Sequence, residues 1–293
     1  MRVISQAERK YGRLVRELAV ELILREPGRQ LPTVSELARR FDVGHGTVQR
    51  ALRTLEASGA VRLEARGHLG TYVLEKDVRR LWEAAGIPGL LGGFPLPVRR
   101  PIQGLAATVQ AGMRGVGVPV EVAYVEGSRR RLGQLRLGRL DFVLVSRFAA
   151  ERAWENQRDV VIVRNFGPGT YCDPGSLKIG YRRFPPERIA VDWRSCEHYW
   201  RTAEAFPGAE GRFVRMPYLE IPSALERGDV DAGLWFSDTM WQLPQGEGIV
   251  FEEVRPSLMD RAMSEACLVV LSDNHLVRGL IERALGTGEI SEE

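Results

Sequence analysis

The sequence predicts a multidomain chain: a small helical unit ending in a β-hairpin, then a larger α/β region built as two similar lobes. Three observations predict it. Apolar residues recur at helical spacing through residues 5–59, an alternating run interrupted by glycines follows at 61–74, and one helix-glycine-aspartate-strand unit occurs twice further on. With 293 residues and 44% hydrophobic side chains, the chain can bury more than one core.

The first helix is predicted over SQAERKYGRLVRELAVELILR, where Ala7, Tyr11, Leu14, Leu18 and Leu22 make one apolar stripe and Ser5 with Glu8 forms a capping box. Glu-Pro-Gly-Arg ends it. LPTVSELARRF gives a short second helix capped by Thr33 and Glu36, with Val34, Leu37, Ala38 and Phe41 inward. After the turn DVGHG, TVQRALRTLEASG gives a third, with Val48, Ala51, Leu52 and Leu55 inward and Gly59 as its stop.

Two short helices joined by a glycine-bearing turn form a helix-turn-helix, whose second helix can enter the DNA major groove. The core positions leave Gly44, His45, Gly46, Thr47, Gln49, Arg50 and Arg53 on the turn and outer face. Gln49 suits adenine bidentately, while Arg50 or His45 suits guanine or phosphate.

AVRLEARGHLGTYVL then reads as a β-hairpin, a wing whose tip carries Arg66, Gly67 and His68 toward the minor groove or backbone. RGHLG matches neither phosphate-loop pattern, and the segment offers a catalytic His68 no partner.

The stretch LPTVSELARRFDVGHGTVQRALRTLEASGAVRLEARGHLGTYV resembles the winged helix-turn-helix of the GntR family, through its Leu-Pro, Glu-Leu-Ala, Thr-Val, Ala-Leu and Gly-Thr-aromatic-Val landmarks. The resemblance implies DNA contacts from Ser35, His45, Thr47, Gln49, Arg66 and Gly67, with Thr33 beside Ser35 at the start of the second helix. Where many members have Ser/Thr-Arg in the turn and an arginine after the valine, this sequence has Gly44-His45-Gly46 and Gln49, so an operator cannot be borrowed.

Charge distribution agrees without deciding the matter. The formal net charge is +3, with residues 1–78 carrying 14 Lys+Arg against 10 Asp+Glu and residues 79–293 carrying 27 against 28. No membrane span or secretion signal is expected, which predicts a cytoplasmic protein. Cys172, Cys196 and Cys267 lack metal or disulfide spacing and are expected to be reduced, and no metal or cofactor is expected.

Domain boundaries are expected at 1–76 for the DNA-binding unit, 77–88 (DVRRLWEAAGIP) for a linker helix and 89–293 for the α/β region. Strands are predicted at GLLGGF, VEVAYV, DFVLVS, DVVIVRNF, RIAVD, RFVRMPY, VDAGLWF and CLVVLS, with helices between, in a mainly parallel arrangement. Leu135-x-x-Gly138-x-x-Asp141-Phe-Val-Leu-Val and Leu225-x-x-Gly228-x-x-Asp231-Ala-Gly-Leu-Trp are the duplicated unit, which argues for two lobes, the second at about 180–250, around a ligand cleft.

This half resembles the type 2 periplasmic-binding-protein fold used as an effector domain by bacterial regulators. Through EARGHLGTY, GFPLPVRRPIQGLA, GRLDFVLVS and FGPGTY most of the chain is similar to the YhfZ-like group of GntR-type regulators, departing at Pro101 and Ile102. By that resemblance the ligand is held at strand ends and helix amino termini, here Pro95, Arg99, Arg100, Gln103, Ser146, Arg147, Gly167, Gly169, Thr170, Tyr171, Asp192, Ser195, Tyr218, Trp235 and Asp238. Helix amino termini favour anions, so a small anionic or zwitterionic effector is expected on Ser146, Ser195 and Arg99 or Arg147. The function expected is a ligand-responsive regulator acting as a homodimer on double-stranded DNA. An architectural DNA-binding protein and a clamshell enzyme are the alternatives, the latter without a nucleophile elbow or carboxylate cluster to support it.

Overall fold

The computed structural model of the chain describes residues 6–97, 100–237 and 248–286. Ser5 and the side chain of Glu8, the first capping box, lie outside them, as do Arg99, Asp238 and the side chain of Arg100.

The first body contains α1 (Gln6–Leu24), α2 (Val34–Phe41), α3 (His45–Ala57), β1 (Val61–Ala65), β2 (Thr71–Lys76) and α4 (Val78–Ala85). Its core is the apolar stripe read from the sequence: Leu14, Leu18 and Leu22 of α1 meet Leu37 and Ala38 of α2 and Val48, Ala51 and Leu55 of α3, all buried. The α2 start is the expected capping box, with Glu36 N–H donating to Thr33 Oγ1 at 3.2 Å and Thr33 N–H to Glu36 Oε2 at 2.7 Å. One expectation changes. The segment read as a linker does form α4, but its Leu81, Trp82 and Ala85 are buried and it packs on α1, so it completes the first body's core instead of acting as a spacer.

β1 and β2 pair antiparallel from Val61–Lys76 to Ala65–Thr71. Residues 28–31 add a third edge: Gly28 N–H donates to the Val73 carbonyl and Leu31 N–H to the Thr71 carbonyl, both at 2.7 Å. Gly70 is required by this arrangement. Its φ of +88° disfavours a side chain, and a Cβ there would meet Gln30 Nε2 at 2.5 Å. That glycine serves the hairpin's own packing.

The α/β part contains β3 (Leu90–Phe94), α5 (Arg100–Gly115), β4 (Val120–Tyr124), α6 (Ser128–Arg136), β5 (Phe142–Ser146), α7 (Arg147–Gln157), β6 (Val160–Asn165), β7 (Leu177–Tyr181), β8 (Ile189–Val191) and α8 (Cys196–Ala205). It continues with β9 (Phe213–Arg215), α9 (Ile221–Arg227), β10 (Ala232–Phe236), β11 (Val250–Glu253), α10 (Asp260–Ser264), β12 (Ala266–Leu271) and α11 (His275–Leu285). Among the described residues there are two five-stranded sheets, ordered β4-β3-β5-β12-β6 and β11-β7-β10-β8-β9. Both are mixed. The pairs β3/β5, β8/β9 and β8/β10 are parallel, whereas β12 runs antiparallel to β5 and β6, and β7 antiparallel to β10 and β11. The mainly parallel expectation fails because the chain passes from the first sheet to the second and back, and the strand laid down after each passage is antiparallel.

The duplicated unit has one physical role in both lobes. Gly138 (φ +65°) and Gly228 (φ +77°) end α6 and α9 in the left-handed region. Asp141 and Asp231 then turn a carboxylate onto the neighbouring parallel strand: Asp141 Oδ2 accepts from Leu91 N–H at 2.7 Å, and Asp231 Oδ2 from Glu187 and Arg188 N–H at 3.0 and 2.9 Å. Each aspartate thus pins where the adjacent strand begins. Burial pushes the Asp231 carboxyl up, but the bonds from Arg188 and from these backbone N–H groups more than offset this and hold it below its ordinary range. Its contribution is therefore present above the unfolded pKa of about 3.9 and lost as pH falls through the lower folded value. Asp231→Ala should cost about 2 kcal/mol in urea unfolding of this domain near neutral pH, and the gap from wild type should narrow in strong acid.

Candidate functional site

Two surfaces carry the chemistry. On the first body, Ser35, His45, Gly46, Gln49, Arg50, Arg53, Arg66, Gly67 and His68 are exposed and Thr47 is half-buried, so α3 and the hairpin present the predicted reading surface to solvent. Local contacts divide this set. Arg50 lies 4.0 Å over the Tyr11 ring, whose hydroxyl is 2.6 Å from Thr54 Oγ1, so this guanidinium is braced against α1. Arg66 stacks 4.5 Å over Tyr72 and pairs with Glu64, fixing it across the wing. Thr33 spends its hydroxyl on the helix cap and is a structural residue here. Gln49 and Arg53 lie exposed one turn apart on the outer face of α3.

The second surface is a cavity of about 130 Å³ between the two lobes of the α/β domain, many times the roughly 10–15 Å³ that one water requires. Of the residues expected to hold a ligand, Pro95, Tyr171, Asp192, Ser195 and Tyr218 line it. Gln103, Ser146, Arg147, Gly167, Gly169, Thr170 and Trp235 do not.

The reasons are specific. Gln103 Nε2 donates to the Pro97 carbonyl at 2.9 Å. Arg147 is paired with Glu151 and with buried Glu265, at 2.9 and 2.8 Å. Thr170 Oγ1 donates to the Gly167 carbonyl and accepts from Ala266 N–H, while Gly169 N–H donates to Ser264 Oγ, tying the 167–171 loop to the start of β12. Trp235 is 1% exposed and stacks beneath Tyr218 with ring centroids 4.2 Å apart, so it supports the wall from behind.

The largest departure concerns the serines. Ser128 begins α6, Ser146 caps α7 and Ser195 caps α8, and all three hydroxyls donate to one buried carboxylate, Glu197, at 2.6, 2.5 and 2.9 Å. Three helix amino termini converge on an anion the chain itself supplies. The expected anion anchor on Ser146 and Ser195 is therefore already occupied from within.

Beside it, buried His198 accepts from Asp192 N–H on Nδ1 at 3.1 Å and lies 3.2 Å from the Leu234 carbonyl through Nε2, an arrangement that calls for the neutral ring with its proton on Nε2. Burial lowers its pKa, opposed by the Leu234 carbonyl and by Asp192 and Glu197. Leu96, Ile102, Leu177, Leu219, Leu234 and Phe236 supply most of the apolar wall. Leu96, Ile102 and Phe236 fall in segments expected to hold the ligand, whereas Leu177, Leu219, Leu234 and the charged Glu126, Arg131, Arg201 and Asp260 were missed by sequence reasoning, because they converge only through the two-lobed topology.

Among the described residues no group of three or more His, Cys, Asp or Glu could hold a metal ion. All three cysteines are buried, and burial pushes Cys196 and Cys267 up to about 12, so they are protonated thiols at neutral pH. A thiol-specific chromogenic reagent should label the folded chain slowly and all three cysteines rapidly in denaturant. No helix among the described residues is long and apolar enough to cross a membrane.

Fold and surfaces together define a helix-turn-helix unit followed by a two-lobed α/β domain. Residues 26–73 match a helix-turn-helix domain, a match that does not itself single out the GntR family. Residues 77–292 match the YhfZ C-terminal domain. The chain is 33% identical over 230 residues to the uncharacterized protein YhfZ of Escherichia coli K12, covering 78% of this chain and 75% of that one. It is also 45% identical over 51 residues to the HTH-type transcriptional regulator Rv1152 of Mycobacterium tuberculosis, covering 17% of this chain and 40% of that protein. The crystal structure of YhfZ from Shigella flexneri superposes with a TM-score of 0.52 at 22% identity, over 68% of this chain and 85% of that one. The chain belongs to the YhfZ family.

Proposed function

We propose that this protein is a ligand-responsive transcription regulator that binds a two-fold operator as a homodimer in the cytoplasm and senses a small metabolite in the cleft of its α/β domain. The observation that carries this reading is the pairing of two features in one chain. One is an exposed polar α3 face with a wing, and the other is a largely apolar cavity with a few buried polar groups, the usual make-up of a small-molecule site.

A ligand shifts such a regulator only by its differential affinity for two states, so a useful switch needs about 1–3 kcal/mol of coupling. The test is to select duplexes from random sequence with the purified chain and measure the stoichiometry on the best of them by analytical ultracentrifugation. Two chains on a palindromic duplex support the reading. A single chain on an asymmetric site removes the dimer, and failure to enrich any sequence removes the regulator.

A further inference from the structure

We infer that the cleft ligand carries a protonated amino group and that this group docks against the carboxylate of Asp192. The inference rests on the reading of the cleft as a ligand site and specifies what that site takes.

The charges around the cavity lead to it. Asp192, 1% exposed, lines the cavity; its Oδ1 accepts from Arg194 N–H at 3.0 Å and from Arg194 Nε at 3.1 Å, while its buried Oδ2 has no partner. A buried carboxylate oxygen without a donor is costly, and native proteins satisfy nearly all such atoms. Arg194 cannot neutralise its surroundings, because the same guanidinium also pairs with Glu126 at 2.7 Å. Two carboxylates, Asp192 and Glu126, thus share the one Arg194 cation.

The other ionic groups carry partners of their own, although buried Arg194 Nη2, Arg201 Nε and Asp260 Oδ1 also lack a hydrogen bond. Glu197 is held by the three serines at the helix amino termini. Arg131 donates to the Leu144 and Val125 carbonyls and to the Tyr171 hydroxyl, at 3.0, 2.7 and 2.7 Å. Arg201 donates to Glu204 and to the Arg255 carbonyl, and its Nε faces Asp260 Oδ1 at 3.6 Å. His198 is neutral and used at both nitrogens. What Asp192 lacks is a donor to its Oδ2. An ammonium on an apolar body meets that need: its N–H groups reach Asp192 Oδ2, and its carbon skeleton lies against Ile102, Leu234 and Tyr218.

Isothermal titration of the full chain tests this with three matched probe series: phenethylammonium and butylammonium, 3-phenylpropionate and butyrate, and phenylalanine and leucine. Probes bearing an amino group should bind, whether plain amines or amino acids, and Asp192→Asn should weaken them at least tenfold. Should Asp192→Asn fail to fold, Glu126→Gln provides the second variant. It frees Arg194 to neutralise Asp192 alone and should weaken the same probes several-fold. Binding by the carboxylates but not the amines, or amine binding unchanged in both variants, overturns the inference and leaves the sensor reading standing. Absence of binding in all three series overturns both.

Discussion

Glu197→Ala should lower the stability of the α/β domain by about 3–5 kcal/mol, because it removes the shared acceptor of two buried hydroxyls and one half-buried one in one step. Ser128 and Ser146 are 1% and 0% exposed, so water that replaces the lost carboxylate has to come from the adjoining cavity, which Ser128 and Glu197 line. The loss also reaches across the lobes. Glu197 lies in the first turn of α8, whereas Ser128 and Ser146 belong to α6 and to the end of β5, so the carboxylate ties elements 51 and 69 residues away to its own helix. For a domain of this size the melting temperature should fall by roughly 10 °C, read by calorimetry. Glu197→Gln preserves the shape and should cost about half as much. Equal melting of Glu197→Ala and wild type would mean that the three serines find other acceptors.

The second large effect is expected on DNA. Gln49→Ala combined with Arg53→Ala removes two outward side chains of α3 that α1 does not brace, and should weaken binding to a selected operator by about 3 kcal/mol, roughly 100-fold or more. Binding to unrelated duplex should change much less, so the specificity ratio collapses. Arg66→Ala should behave differently. It should weaken binding to all duplexes alike and lower the slope of log affinity against log salt by about one unit. If the α3 double variant and the wing variant altered specificity equally, the division between base reading and backbone positioning would be wrong. Fluorescence anisotropy at several salt concentrations separates the two.

The sequence carried the local features well and the long-range ones poorly. The stripe Leu14, Leu18, Leu22, the Thr33–Glu36 box and the 61–76 hairpin are set by neighbours a few residues apart, and each is where periodicity and capping rules place it. The repeat of Gly138-x-x-Asp141 at Gly228-x-x-Asp231 was also legible, since it is one local joint used twice.

β7 and β11 were not legible. LKIGY carries a glycine, and VFEE lies largely exposed on the sheet's edge, so neither shows the apolar run of a central strand. The antiparallel insertion of β12 between β5 and β6 depends on the return of the chain from the second lobe, which no local pattern records. The cleft shows the same limit. Ser146 and Ser195 were recognisable as hydroxyls at helix starts, but that their anion is Glu197 depends on four positions between 128 and 197 meeting in space. The one local hint was an acidic residue in the first turn of α8, where the helix dipole favours it.

The most direct test of a DNA reader governed by a sensing domain is the affinity of the full chain for its selected duplex across a salt series, for wild type and for Gln49→Ala with Arg53→Ala. The account predicts a linear loss of log affinity with log salt for both proteins, together with tight, sequence-selective binding that only the wild type retains. Binding indifferent to salt, or a double variant as selective as the wild type, would contradict it.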